Sequence, residues 1–269
     1  MKNNLKTVVA FIAMAVTFVS CSKNEDATEI IGVGALKVEF ENGFKNNSII
    51  LGAPTIATSQ NEILSITELK YLVSNIVLTK TDGLVYTYPK NNSYFIVNEL
   101  TPSSLILNLT NVPAGDYKTI KFGIGVDQDQ YNLGASGQGN FWTAAQAAGM
   151  TWSWAAGYKF LLFEGTFTSS TVPTATSFMV HTGKSGSNYN YTDVTLQLTN
   201  NALVRTNITP TIHLKTDVSQ VIDGSNKISL SANNAMGMGA MIMGGTNLTL
   251  ITANLPAMFS VDHVHNDSN

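Results

Sequence analysis

Two histidines near the C-terminus have the spacing that best fits metal binding. They stand in the sequence Asp262-His263-Val264-His265. In an extended segment, residues i and i+2 project to the same side, so the two imidazoles can converge on one ion. Neutral imidazole is a good ligand for copper, zinc and iron. Surface tails also carry this pair by chance, so the spacing alone leaves a metal site and an incidental pair as equal alternatives.

The chain has two other histidines, and their surroundings differ. His181 closes a predicted strand beside a loop rich in Gly, Ser and Asn, and functional sites are commonly built at such places. His213 lies inside an alternating segment, on the face opposite Ile212 and Leu214. A histidine with satisfied hydrogen bonds is the more common outcome there. His181 is therefore the better candidate ligand of the two.

The densest aromatic stretch, residues 150–160, contains Trp152 and Trp154. The two indoles would share one face of an extended segment. Large aromatic side chains most often pack in a core, and composition alone favours that interpretation. Two functional roles stay open beside it: stacking on sugars, and service as an oxidisable side chain close to a metal.

Two further segments carry metal-binding atom types. Residues 236–243 hold four methionines, whose soft thioether suits Cu(I) although methionine clusters also fill irregular core space. We predict core or loop here rather than a ligand set. Asp127 and Asp129, with Asn132 nearby, offer oxygens for calcium. They lack a full set of ligands at fixed spacing, so a solvated loop is favoured.

The N-terminus has the pattern of an export signal. A basic start precedes an apolar run that ends at Val19, shorter than the about 20 residues that span a bilayer. Ser20-Cys21 is similar to a bacterial lipobox, so we expect cleavage after residue 20 and lipid at Cys21. An ordinary secretory signal is the alternative. The polar residues 21–34 then form a tether, and an outer-membrane lipoprotein facing the periplasm or the cell surface is expected.

Composition argues against two classes of function. Charged residues make up 12% of the chain, the net charge is −3, and no basic cluster is present, so nucleic-acid binding is not expected. The sequence has no Gly-x-Ser-x-Gly and no His-Glu-x-x-His motif, and its one cysteine is Cys21. We therefore do not expect an enzyme. Without a second cysteine, stability must come from the core.

From residue 35 onward, short segments of alternating polarity are separated by Gly, Asn, Asp and Pro, which predicts strands. The predicted strands are 35–40, 69–79 with a bulge, 84–88, 94–97, 105–109, 117–125, 158–167, 177–181, 192–198, 211–214 and 227–230. Asp82-Gly83 marks a hairpin turn, and helical spacing predicts helices at 141–148 and 246–259. With no βαβ alternation, we predict one antiparallel β-sandwich domain, residues 35–269, with one or two short helices.

Several stretches, in order along the chain, resemble the MbnP family of exported copper-binding proteins. The matching stretches are Val38–Asn42, Tyr71–Ile76, Val112–Tyr117, Gly123–Asp127, Met150–Trp154, Gly157–Phe160, Glu164-Gly165 and Met258–Asn266. The sequence departs from the family pattern at Thr151, where an aromatic residue is commoner, and in the methionine segment, which has no clear counterpart.

The resemblance implies a β-sandwich that binds Cu(I), with one tryptophan oxidised to kynurenine by a partner MauG-like dihaem enzyme. An outer-membrane copper transporter is a further candidate partner. Trp152, Trp154 and His181, whose surroundings look like the family's His-x-Gly strand end, become the leading metal-site candidates, with His263 and His265 close behind. The alternative is a glycan-binding or adhesive surface module. It requires aromatic rings exposed away from any histidine, whereas copper binding requires tryptophan and histidine to converge.

Overall fold

Two β-sheets make up most of the chain. The computed structural model describes residues 30–152, 157–234 and 237–268; the predicted signal, Cys21 and Trp154 lie outside the described residues. The strands are β1 Val33–Phe44, β2 Asn47–Ser48, β3 Ile63–Lys80, β4 Val85–Thr87, β5 Tyr94–Asn98, β6 Ile106–Pro113, β7 Gly115–Ile124, β8 Lys159–Thr168, β9 Thr176–Ser185, β10 Asn188–Tyr189, β11 Thr192–Val204, β12 Thr211–Asp217, β13 Ala240–Ile242 and β14 Phe259–His265. The helices are α1 Gln128–Asn132, α2 Gly134–Gly137, α3 Gly139–Ala147, α4 Gln220–Asp223 and α5 Thr246–Asn254, with short 3₁₀ turns at Lys90–Asn92, Pro102–Leu105 and Leu255–Met258.

The strands confirm the predicted all-β sandwich. The smaller sheet has the order β14-β12-β1-β2, with β6 also paired to β1. The larger sheet has the order β10-β9-β8-β3-β7-β11, with β4 and β5 paired to β3 and β13 paired to β9. Most pairs are antiparallel, but β1 with β12 and β13 with β9 run parallel. Within the described ranges, no helix has the length and apolar character needed to cross a membrane.

The main core lies between the two sheets, and an aromatic group joins them. Phe40 of β1 and Phe259 of β14 come from the smaller sheet; Tyr71 of β3 and Phe122 of β7 come from the larger one. Their ring centroids are 5.2 to 6.1 Å apart in edge-to-face contacts, a favourable geometry for aromatic pairs. In β1 the predicted alternation holds, since Leu36, Val38 and Phe40 are all buried.

A second, smaller apolar cluster covers the outer face of the larger sheet. Its buried members are Leu72, Val126, Ala145, Met150, Tyr158, Phe160 and Leu162. Helix α3 lies over this face, where the Trp142 ring packs edge-on against Tyr158 with centroids 5.0 Å apart. The predicted helix 141–148 is thus confirmed within one or two residues. Helix α3 and the described residues packed beside it therefore cover one outer face of the sandwich.

Asp127 caps α1, the first helix after β7. Its carboxylate accepts hydrogen bonds from Lys90 Nζ at 2.8 Å, Tyr94 Oη at 2.8 Å, Asn75 Nδ2 at 3.0 Å and the Gln130 backbone N–H at 3.1 Å. A carboxylate offers about four lone-pair positions, and these four donors occupy them. The calcium site considered at Asp127 is therefore not supported, because the oxygens already cap α1 and bind β3 and β5.

Asp127→Asn is expected to lower the free energy of unfolding by about 1 kcal/mol at pH 7. Charge-assisted hydrogen bonds are stronger than neutral ones, so the substitution weakens these contacts, but the loss is small because the side chain is only partly buried. Burial raises the pKa of Asp127, but the hydrogen bonds from Lys90, Asn75 and Tyr94 outweigh it and lower that pKa to about 2. Because this pKa is lower in the folded state, the ionised carboxylate stabilises the fold fully above the unfolded-state pKa of 3.8. That stabilisation is lost as the pH falls through 2.

The difference between wild type and Asp127→Asn should therefore shrink in urea unfolding between pH 4 and pH 2. Asp129→Asn, an exposed neighbour, is the control and should stay within about 0.5 kcal/mol of wild type. A difference that stays constant with pH would show that the Asp127 charge does not stabilise the fold.

Two predicted elements differ from the structure. Residues 227–230 do not form a strand, because the backbone N–H groups of Leu230 and Ser231 donate to the buried Glu62 carboxylate at 3.1 and 2.8 Å. The helix predicted for 246–259 ends at Asn254. Pro256 lies in the following 3₁₀ turn, where its missing N–H removes a donor that an α-helix needs.

Candidate metal centres

His181 lies on β9, on the outer face of the larger sheet, which carries the second apolar cluster. Its neighbour Val180 belongs to the main core, whereas Leu162, its partner across β8, belongs to the outer cluster. The His181 residue is only 3% exposed. Its Nε2 lies 2.5 Å from Glu164 Oε1, while its buried Nδ1 has no hydrogen-bond partner among the described residues. Such buried orphan nitrogens are uncommon.

Glu164 sets the chemistry of His181. A carboxylate beside Nε2 favours the tautomer in which Nε2 carries the proton and Nδ1 keeps its lone pair. The hydrogen bond from His181 lowers the pKa of Glu164, with smaller contributions from the charges of Lys159 and Lys70. Glu164 therefore remains an acceptor, and Nδ1 of His181 is the nitrogen available to a ligand.

Trp152 is the tryptophan that the structure places beside His181. The two ring centroids are 5.7 Å apart, with 53° between the planes, and Lys159 Nζ lies 5.7 Å from the centroid of the Trp152 ring. Gly183 is required beside this contact, because a Cβ there would lie 2.5 Å from the Tyr158 carbonyl oxygen; the indole, at 3.4 Å, would not clash. The His-x-Gly spacing thus has a steric cause at this strand end.

A second group of histidines occupies the outer face of the smaller sheet. His213 on β12 and His263 on β14 stack with centroids 4.5 Å apart and 11° between their planes. His265 is nearly perpendicular to both, at 5.0 and 4.4 Å. One ligand nitrogen from each of the three lies within 4.8 Å of the others. We call His213, His263 and His265 the histidine triad.

The histidine triad includes a residue that sequence reasoning ranked low. His263 and His265 lie 2.8 Å apart between their Nε2 atoms, as their spacing predicted. His213 was expected to be a satisfied strand histidine, yet it pairs directly across from His263. Alternation had placed His213 on the outer face correctly. The sequence held no signal that β12 would pair with β14.

The two groups lie on the outer faces of different sheets, so His263 and His265 converge on each other and not on His181. His181 points away from the core on the larger sheet, and His213 alternates with the core residues Ile212 and Leu214 on the smaller one. Packed sheets are about 10 Å apart, whereas a metal–nitrogen bond is about 2 Å long. One ion cannot reach both His181 and His263.

The described methionines of residues 236–243 do not form a packed core. Met238 and Met241 are 70% and 59% exposed, and Met236 lies outside the described residues. Ala240 and Ile242 are buried instead, because they form β13 and pair with Phe178 and Val180 of β9.

The family model described as MbnP matches residues 33–243, most of the chain. The chain belongs to the MbnP family. The MbnP resemblance predicted from the sequence is thus confirmed, and membership supports an MbnP-like function associated with copper. The matched range contains Trp152, His181 and His213, but it ends before His263 and His265.

Among solved structures, MbnP from Methylosinus trichosporium is similar to this MbnP family member at 15% sequence identity. The likeness covers 74% of this chain and 81% of that chain, with a TM-score of 0.48. No curated protein matches the sequence.

Proposed function

We propose that this protein is an exported, lipid-anchored binding protein that holds Cu(I) at His181, together with an oxidised tryptophan. The observation that carries the proposal is the buried Nδ1 of His181, which has no hydrogen-bond partner in the described part of the chain and belongs to a ring 5.7 Å from the Trp152 ring. Imidazole nitrogen suits copper. A nitrogen buried without a hydrogen bond is destabilising unless a ligand uses it.

Glu164 is the positioning residue of this site. Metal-binding histidines commonly bind a carboxylate through the other ring nitrogen, which fixes the ring and increases its basicity. His181 has this arrangement through its 2.5 Å contact with Glu164.

An unmodified indole cannot complete the site, because its N–H is a donor only. Oxidation to kynurenine cleaves the indole C2–C3 bond and adds one oxygen atom to each carbon. Hydrolysis then releases C2 as formate and leaves an aniline amine with a lone pair. Trp152 is the candidate that the structure describes beside His181; Trp154, two residues further on, is the other.

The oxidation requires a partner. The chain has no Cys-x-x-Cys-His haem attachment motif, so we propose that a MauG-like dihaem enzyme supplies the oxidising equivalents outside the cytoplasm. Cys21 would anchor the product to the outer membrane, and an outer-membrane transporter is the candidate recipient of copper. In this scheme the protein binds copper and is itself no catalyst.

The glycan-binding alternative is less well supported. It requires aromatic rings exposed on a flat face, away from histidine. In the described ranges, the large hydrophobic side chains that are exposed are all Ile, Leu, Val or Met, and none is aromatic. Trp142 packs on Tyr158, and Trp152 lies against His181.

Intact-mass measurement tests the proposed oxidation. Protein from the native host is expected to carry the kynurenine mass change at Trp152 or Trp154, located by peptide fragmentation. Protein from a host without a dihaem partner should keep intact tryptophans and bind Cu(I) more weakly. Trp142→Phe is the matched control and should not alter the modification. If protein from the native host bound Cu(I) tightly while every tryptophan was intact, the role of kynurenine would be ruled out.

A further inference from the structure

The histidine triad has the features of a metal site of its own. It lies on the outer face opposite His181, and it joins two strands that are far apart in sequence. We propose that His213, His263 and His265 bind one divalent ion of the zinc or copper(II) class, independently of the Cu(I) site.

Strand pairing creates the triad. His213 lies directly across from His263 in the β12–β14 ladder, and His265 is opposite Thr211. Residues 263 and 265 share a face because side chains alternate along a strand. Three imidazoles from two adjacent strands therefore meet on one rigid surface, and rigid elements hold ligands more accurately than loops do.

A β-bulge at Asp262 adds the carboxylate that metal-binding histidines commonly use. The β12–β14 register shifts between His213 and Leu214, which pair with His263 and Val261, and this leaves Asp262 as the extra residue. A bulge redirects a side chain. As a result, Asp262 Oδ2 reaches His263 Nδ1 at 2.7 Å, although adjacent strand residues usually face opposite sides.

This contact determines which nitrogen of His263 is available. With Nδ1 donating its proton to Asp262, Nε2 keeps its lone pair. The Nε2 atom of His265 lies 2.8 Å away, so a single proton is shared between the two nitrogens. A metal ion would replace that proton, and ligand nitrogens at tetrahedral angles would be about 3.4 Å apart for bonds of about 2.05 Å. The rings need to separate by roughly half an ångström.

The ligand chemistry selects the class of ion. Calcium and magnesium prefer sets of oxygen ligands, whereas three imidazoles suit zinc and copper(II). Glu39, on the neighbouring strand β1, lies 3.3 Å from His213 Nε2. It places a second carboxylate beside the histidine triad, next to the His213 ring. Three protein ligands leave a fourth position open to water or to a ligand from a partner.

Cobalt(II) titration tests the proposal separately from the Cu(I) site. In full-length His181→Ala protein, one equivalent of Co²⁺ is expected to give the visible absorption of a tetrahedral ion, and Zn²⁺ should displace it. Replacing His263 with alanine in this background should weaken binding by more than about 100-fold, since loss of an outer carboxylate alone costs about 10–100-fold. Asp262→Ala should fall in that smaller range.

Lys37→Gln is the matched control, because Lys37 is exposed on β1 two residues from Glu39. It should leave Co²⁺ affinity unchanged, and thermal unfolding should show that every variant is folded. Undiminished Co²⁺ binding after His263→Ala, or no binding in His181→Ala protein, would overturn the triad as a metal site. Neither outcome depends on whether His181 binds Cu(I).

Discussion

Native-host protein that carries His181→Ala is expected to lose Cu(I) affinity by more than about 100-fold. The physical reason is that the substitution removes the buried Nδ1 that has no partner among the described residues, in the ring beside Trp152. Loss of the carboxylate behind a metal-binding histidine alone costs about 10–100-fold. The measurement is competition against a chromophoric Cu(I) chelator. Both the reference protein and the His181→Ala variant also carry His263→Ala and His265→Ala, and this background removes any contribution of the histidine triad.

His213→Ala in the same background is the matched control, because it removes an imidazole from the opposite face. It should leave the Cu(I) affinity unchanged. If His181→Ala bound Cu(I) as tightly as that background does, copper would have to bind elsewhere, and the unpartnered Nδ1 would be a structural feature only.

Phe40→Ala is expected to destabilise the fold by about 3–5 kcal/mol, the usual cost of truncating a buried phenylalanine. The Phe40 ring contacts Tyr71, Phe122 and Phe259, and it is 1% exposed. Its loss leaves a cavity at the contact between the two sheets. For a domain of this size, urea unfolding should show the change, and the midpoint of thermal unfolding should fall by roughly 10 °C.

Leu100→Ala is the control for this prediction, because Leu100 is 58% exposed. It should change the free energy of unfolding by no more than about 0.5 kcal/mol. A loss for Phe40→Ala as small as that of Leu100→Ala would mean that the sheets are not joined through this aromatic group.

Local patterns predicted most of the strands because each depends on nearby residues. The turn at Asp82-Gly83 forms with Gly83 at φ +92°, and the bulge expected in β3 occurs where Asn75 has φ +52°. Strand 227–230 was wrong because a distant side chain, Glu62, takes up its backbone donors. Alternation contains no information about such partners.

The same limit applies to the metal sites. His181 was selected from its place at a strand end, but Glu164 became its partner only through the pairing of β8 with β9. His263 and His265 could be paired from spacing, whereas His213 and Glu39 join them through contacts between strands far apart in sequence. A single sequence shows which face a residue occupies, and not which strand lies beside it.

The bulge at Asp262 has a second expected effect, on how copies of the protein associate. Among the described strands, β14 stands at the end of the smaller sheet's strand order, with β12 as its one ladder partner. Flat edges of this kind recruit strands from other molecules, and a bulge with a charged residue disfavours such pairing. The residue that orients His263 is therefore also expected to disfavour edge-to-edge pairing between neighbouring copies of the protein.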